Sequence, residues 1–251
     1  MTMKEKVLTE KQILTKSLFA FAVFIIGICA AYFIWKGLRS QEKEAGTTKI
    51  LRKSYLANEA IFSGLFNEKG LVKTYPVAEA VKAVRVNGNL GLTDASFDPV
   101  AWKMKVVKAG GDTLFISIDD IKKLPKTEIV FDFKCIEGWS QRTWWGGVTF
   151  ADFVKQNRLE NEVQKTYASL STPDKKYYVG IDMPSMIQPQ TLLCYEMNGK
   201  PLPMNQGYPL RLIIPVKYGI KHLKRIGTLY FSDTRPPDYW AERGYDYYSG
   251  H

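Results

Sequence analysis

Histidine and cysteine are scarce in this chain of 251 residues, which has two of the first and three of the second. His222 and His251 form no cluster, and no zinc-type spacing occurs. Cys29, Cys135 and Cys194 are too few for a disulfide framework, and Cys29 sits inside an apolar run. A thiol enzyme with Cys135 as nucleophile is disfavoured, because no histidine base lies near it in sequence. There is no phosphate-binding loop of the Walker type and no nucleic-acid signature, so no nucleic-acid partner is expected. Internal repeats and low-complexity stretches are missing too. Residues 1–16 contain no arginine, so no twin-arginine export signal is expected there.

Charge is absent from residues 17–35. At ~1.5 Å per residue such a helix crosses ~30 Å of hydrocarbon. The run is too long for a signal-peptide core, and Cys29-Ala30-Ala31 is a poor cleavage site because apolar residues continue beyond it. Bulky Ile28 argues against lipidation of Cys29. The expectation is an uncleaved single-pass anchor in the lipid bilayer through residues 17–36, with Tyr32 and Trp35 at one interface. Lys4, Lys6, Lys11 and Lys16 precede it, and Lys36, Arg39, Lys43, Lys49, Arg52 and Lys53 follow it, so charge gives no clean orientation and leans towards a cytoplasmic C-terminal part. The division expected is a polar segment 1–16, the anchor, a juxtamembrane linker with a short helix over 37–83, and a domain over 84–251. About 200 residues beyond an anchor suffice for one buried core. The net charge of +10 favours anionic ligands or surfaces.

Leu56, Ala60, Ile61 and Leu65 stand at helical spacing within 55–68. From Val84 the texture becomes that of short strands. Val84-Arg85-Val86 runs into an Asn-Gly turn. Strands are predicted over 102–107, 113–118, 129–133, 177–181, 210–214 and 226–231, with helical turns over 118–124 and 148–159 and a helix or strand over 191–197. Many short strands with a few helices predict an α+β domain with mixed sheets, preceded by one N-terminal transmembrane helix.

Cys135 ends the apolar run 129–133 and opens a loop, Gly138-Trp139 and then Trp144-Trp145-Gly146-Gly147. A thiolate at a strand end beside a glycine-rich loop is a soft ligand for a metal or a covalent intermediate. A second dense stretch carries Arg211, Lys217, Lys221, His222, Lys224 and Arg225 with no acid among them. Such donors on turns suit phosphate, because charge-assisted bonds are about twice as strong as neutral ones. Arg211 is the sharpest of them, since a Leu–Ile strand carries an arginine inward only to meet an anion.

These segments carry a resemblance. Cys-Ile-Glu-Gly-Trp-Ser at 135–140 with Trp-Gly-Gly-Val at 145–148, Asn-Gly-Lys-Pro-Leu-Pro at 198–203, Gly-Tyr-Pro-Leu-Arg-Leu at 207–212, Pro-Val-Lys-Tyr-Gly-Ile-Lys at 215–221 and Tyr-Trp-Ala-Glu-Arg-Gly-Tyr at 239–245 are similar to the sulfite-oxidase-like molybdopterin oxidoreductases. The compact bacterial forms, among them the catalytic subunit of periplasmic methionine-sulfoxide reductase, are the nearer match. The resemblance implies that Cys135 ligates molybdenum, and that Arg211, Lys217, Lys221 and Lys224 lie near the phosphate of a molybdenum–molybdopterin cofactor. It implies two-electron oxygen-atom transfer, with molybdenum cycling between +6 and +4, on a small sulfur compound: S-oxide reduction or sulfite oxidation. It also implies a membrane haem protein or quinone-linked electron partner, and an extracytoplasmic domain. Trp139, Trp144 and Trp145 are candidate walls of the substrate mouth; Arg142, and below it Tyr178 and Asp182, are weaker candidates for the substrate. Gln206 stands where many relatives have histidine. The rival expectation is a non-catalytic tethered module that keeps the fold and its anion cradle.

Overall fold

The computed structural model describes residues 9–41, 43–67 and 69–251. Lys4 and Lys6, and the first half of the expected polar segment 1–16, lie outside the described residues. Helix α1 (Glu10–Arg39) starts on a capping box in which the Thr9 hydroxyl accepts from the Gln12 amide. Its 30 residues reach ~45 Å and bury nothing. By length and composition it is long and apolar enough to cross a membrane. A short hairpin, β1 (Lys43–Glu44) with β2 (Thr47–Thr48), leads into α2 (Lys49–Leu65), capped by the Thr48 hydroxyl.

The remaining elements are β3 (Lys103–Val107), β4 (Thr113–Ser117), α3 (Ile118–Lys122), β5 (Thr127–Lys134), β6 (Ser140–Thr149), α4 (Phe150–Gln156), β7 (Tyr167–Ser171), β8 (Tyr178–Asp182), α5 (Met183–Met186), β9 (Leu192–Met197), β10 (Lys200–Pro201), β11 (Arg211–Ile213) and β12 (Thr228–Ser232). They form two five-stranded sheets. One runs β10-β9-β6-β5, all antiparallel, with β11 also pairing β9. The other runs β4-β3-β12-β7-β8 and is mixed, because β12 pairs β3 in parallel. This is the α+β architecture with mixed sheets that the texture predicts.

The larger core joins both sheets through Met104, Val148, Phe150, Leu193, Leu212 and Leu229. A second cluster, Phe131, Phe133, Trp145, Cys194 and Ile213, lies beneath the β5–β6 pair. The 191–197 run becomes the strand β9, because it has partners on two sides. The helix expected from Val148 begins at Phe150: Val148 still pairs Leu193, and the Thr149 hydroxyl accepts from the Asp152 amide as N-cap. Val84–Asn89 forms no strand, contrary to its pattern. Side chains take its backbone groups instead: the Arg85 amide donates to Gln141 Oε1 at 2.8 Å, and Gln206 Nε2 donates to the Val84 and Arg85 carbonyls at 3.4 and 3.3 Å.

Candidate active site

Strand β5 ends at Lys134, and residues 135–139 turn the chain into β6. The Gly138 amide donates to the Cys135 carbonyl at 3.0 Å, and the Cys135 amide donates to the Trp139 carbonyl at 2.9 Å. Gly138 has φ +87°, a conformation that a side chain disfavours, so glycine makes this tight turn possible. The turn holds Cys135 at the wall of a cavity of about 230 Å³, between β5–β6 and the segments 84–90, 206–224 and 240–245. Its side chain is 2% exposed and in no disulfide. Burial raises the pKa of the thiol, so a metal binding there displaces its proton. Asn87 Nδ2 donates to Cys135 Sγ at 3.2 Å.

Arg211 begins β11 and faces the same cavity at 2% exposure. Its guanidinium lies 4.5 Å from the centre of the Trp145 ring. Nη1 donates to the Gln206 carbonyl at 3.1 Å and to Gln206 Oε1 at 2.9 Å, and Nη2 donates to the His222 carbonyl at 3.4 Å. Nε has no partner and no carboxylate pairs with the group. Burial lowers its pKa, yet a guanidinium stays charged at any physiological pH. The charge therefore sits buried without a counter-ion. Lys224 joins it: Nζ donates to the Asn87, Gly88 and Asn205 carbonyls at 2.8, 2.9 and 3.3 Å, with no acid in reach. Burial, and secondarily the Arg211 charge, push the Lys224 pKa down to about 7.

The other two lysines of the expected cradle go elsewhere. Lys217 Nζ meets Asp182 at 2.5 Å and lies over the Tyr248 ring. Lys221 Nζ meets Asp238 at 2.5 Å and the Gly180 carbonyl at 2.9 Å. Neither lines the cavity. Of the four cations expected near one phosphate, two are thus paired with carboxylates within the fold and two are not.

His222 lines the cavity as a neutral ring. Burial pushes its pKa down to about 3. Nδ1 accepts from the Ile214 amide at 3.4 Å, which leaves Nε2 as the donor to the Lys217 carbonyl at 3.0 Å. The tryptophans divide by the two-residue period of a strand. Trp145 faces inward with Thr143, whereas Trp144 packs against the Asn198–Gly199 turn. Trp139 also lines the cavity, with Arg85 over its ring at 4.7 Å. Arg142 does not: it pairs with Asp132 and Glu79 and stacks on Tyr75. Tyr178 bonds Glu242, and Asp182 is taken by Lys217. The pattern reading missed Asn87, Tyr177, Trp240 and Tyr245, all of which line the cavity. The Asn87-Gly88 pair signalled a turn but not a ligand position, and the rest lie far from Cys135 in sequence.

Among the described residues no group of three or more His, Cys, Asp or Glu can hold a metal ion. A metal at Cys135 must therefore draw its other ligands from a bound group. The cavity fits such a group if it is anionic: it offers one soft sulfur and two cations without counter-ions, one of them with an orphaned N–H.

The comparisons with known proteins agree. Residues 91–240 match the oxidoreductase molybdopterin binding domain. The chain belongs to this family of molybdopterin-dependent oxidoreductases. It is 28% identical over 194 residues to an Azospira oryzae protein, YedZ1, whose name describes a protein-methionine-sulfoxide reductase subunit, covering 77% of this chain and 73% of that one. It is 33% identical over 169 residues to the protein-methionine-sulfoxide reductase catalytic subunit MsrP of Burkholderia mallei, covering 60% and 50%. It is 30% identical over 181 residues to the mitochondrial sulfite oxidase of Rattus norvegicus, covering 61% and 33%. The chain thus spans half or less of the length of the last two relatives. The solved sulfane dehydrogenase SoxCD of Paracoccus pantotrophus shares the fold, with a TM-score of 0.50 at 15% identity over 56% of this chain and 40% of that one.

Proposed function

We propose that this protein is a membrane-anchored molybdopterin oxidoreductase that transfers an oxygen atom to or from a small sulfur compound. The observation that carries the reading is the meeting of Cys135, Arg211 and Lys224 at one cavity with no carboxylate paired to either cation. When bound, the cofactor supplies two-electron oxygen-atom chemistry; the protein supplies ligation, orientation and electrostatics. Cys135 gives the metal its one protein sulfur, and the Asn87 amide donates to that sulfur. Arg211 and Lys224 hold the anionic phosphate end. Gln206 braces Arg211 with its oxygen and ties down 84–85 with its nitrogen, so it fills a structural role at this position. Trp139, Trp145 and Trp240 wall the cavity and exclude water.

Two balanced changes suit this site: S-oxide plus two electrons and two protons to sulfide and water, or sulfite plus water to sulfate, two electrons and two protons. Either requires an electron partner, and a membrane haem protein or quinone-linked protein beside α1 meets that need. The helix would then raise the partner's effective concentration.

The test is molybdenum content in the full chain, produced in a host that makes molybdopterin, beside Cys135→Ser. About one metal per parent chain with a loss or altered metal spectra in the variant supports the reading. No metal in a folded parent, while a control enzyme from the same host is loaded, refutes it and leaves a tethered anion-binding module.

A further inference from the structure

Helix α2 is turned inside out relative to an ordinary surface helix. The stripe that binds the domain by hydrogen bonds is polar. Arg52 donates from Nη2 to the Ala241 carbonyl at 2.7 Å and from Nη1 to the Tyr245 carbonyl at 3.4 Å. Tyr55 donates to the Gly244 carbonyl at 3.4 Å, and Glu59 pairs with Arg235 at 2.5 Å. Residues 52, 55 and 59 follow one stripe of a helix. The opposite side carries Ile50 and Ile61, 50% and 58% exposed, while Phe62 and Leu65, further round the helix, line a cleft with Val216 and Tyr248 of the domain. No residue of α2 is buried.

A helix that docks by hydrogen bonds and leaves its aliphatic side outward is made to meet a second apolar medium. Three observations identify that medium as lipid. The hairpin of β1 and β2 folds back, so α2 starts close to the end of α1, the helix long enough to span a bilayer. Lys43 and Lys53 stand exposed around the junction and suit anionic headgroups. An apolar arc bounded by exposed basic residues such as Lys53 is the make-up of helices that lie in the interface plane.

We infer that α2 lies in the headgroup region of the bilayer with Ile50 and Ile61 inserted, and that its polar face carries the domain on the membrane surface. The inference rests on the reading of α1 as an anchor. It gives the domain a fixed attitude to the membrane. The loop 240–245, which supplies Trp240 and Tyr245 to the cavity, is held directly by the interfacial helix.

The test is spin-label accessibility in the full chain carrying Cys29→Ser. Cys135 and Cys194 are buried and do not compete for label. Single cysteines replace Ile50, Ile61, Phe24 in α1 and exposed Lys155, in vesicles of phosphatidylcholine and phosphatidylglycerol. The expected result is a rise in the ratio of oxygen to nickel-chelate collisions at 50 and 61 over that at 155, with 24 deeper still. If 50 and 61 behave like 155 while 24 reports hydrocarbon, the anchor stands and the inference falls. If 61 is closed to both reagents, protein covers the face and lipid does not. If the chelate reaches 24, the anchor reading fails and the inference fails with it.

Discussion

Four of the five lysines and arginines in the fifteen-residue window 211–225 fall into two pairs that end in opposite circumstances; the fifth, Arg225, donates to the Tyr208, Leu92 and Met204 carbonyls away from the cavity. Lys217 and Lys221 are 1% exposed and each meets a carboxylate at 2.5 Å. Arg211 and Lys224 meet only carbonyls, an amide and an aromatic ring. The first pair fastens the fold: Asp238, held by Lys221, also accepts from the Trp240, Ala241 and Gly180 amides, so this ion pair fixes the loop behind Trp240. The second pair carries charge that folding leaves unanswered. A buried charge with a partner speaks of structure, and a buried charge without one, at a cavity wall, speaks of a ligand.

The sharpest way to break the contrast is to delete one cation of each pair. Lys221→Met leaves Asp238 buried and unpaired, and breaking such a pair costs about 3–5 kcal/mol. A large fall in Tm is expected, and Lys221→Met with Asp238→Asn recovers part of it, because the amide oxygen still accepts from the loop while the stranded charge is gone. Arg211→Met inverts the outcome. It removes an uncompensated charge, so the Tm of the cofactor-free protein changes little or rises. Binding of sulfate at the cavity, read by calorimetry, falls about ten- to a hundredfold, the loss of about 1.5–3 kcal/mol in bonds to a charged group. Equal Tm losses in both variants would erase the distinction.

Much of this site is legible in the sequence, and the limit is set by distance along the chain. Cys135 at a strand end follows from the apolar run of β5 and from the glycine three residues on. Arg211 is readable because leucine and isoleucine surround it. The fate of Lys217 and Lys221 is not, since their acids stand 35 and 17 residues away and only the fold brings them together. Asn87 is hidden for a different reason. It belongs to an irregular segment whose backbone is satisfied by Gln141 and Gln206 rather than by a strand, and no periodicity encodes that. In α2, helical spacing announces the element but not which side meets the domain.

The unpaired cation also leaves a mark in pH dependence. Lys224 titrates at about 7 in the folded protein against an ordinary value of 10.5. Between these values the unfolded chain binds the extra proton, so stability rises with pH across that window. Its unfavourable contribution is complete below pH 7 and is relieved as pH climbs towards 10. Denaturant midpoints of the cofactor-free protein, taken relative to Lys224→Met, should climb over this range. A flat difference would show that Lys224 keeps its proton and has an anion in reach.

The smallest expected effect extends the comparison to Arg52, a cation hydrogen-bonded only to carbonyls but lying at the surface. Its bonds reach Ala45, Ala241 and Tyr245, and join the β1–β2 hairpin to the loop that bears the cavity wall. Water can replace each of these bonds when the side chain is removed, so Arg52→Ala should cost about 0.5–1.5 kcal/mol in global stability. Its local effect should exceed its global one. Hydrogen exchange of the Arg243 and Tyr245 amides, which donate to the Trp240 carbonyl, should quicken, while amides of β6 and β9 stay protected. Arg52→Lys should restore only part of the protection, because a single ammonium cannot span carbonyls that the forked guanidinium bridges. Uniform loss of protection across β6 and β9 as well would make Arg52 a general stabiliser rather than the clamp of one loop.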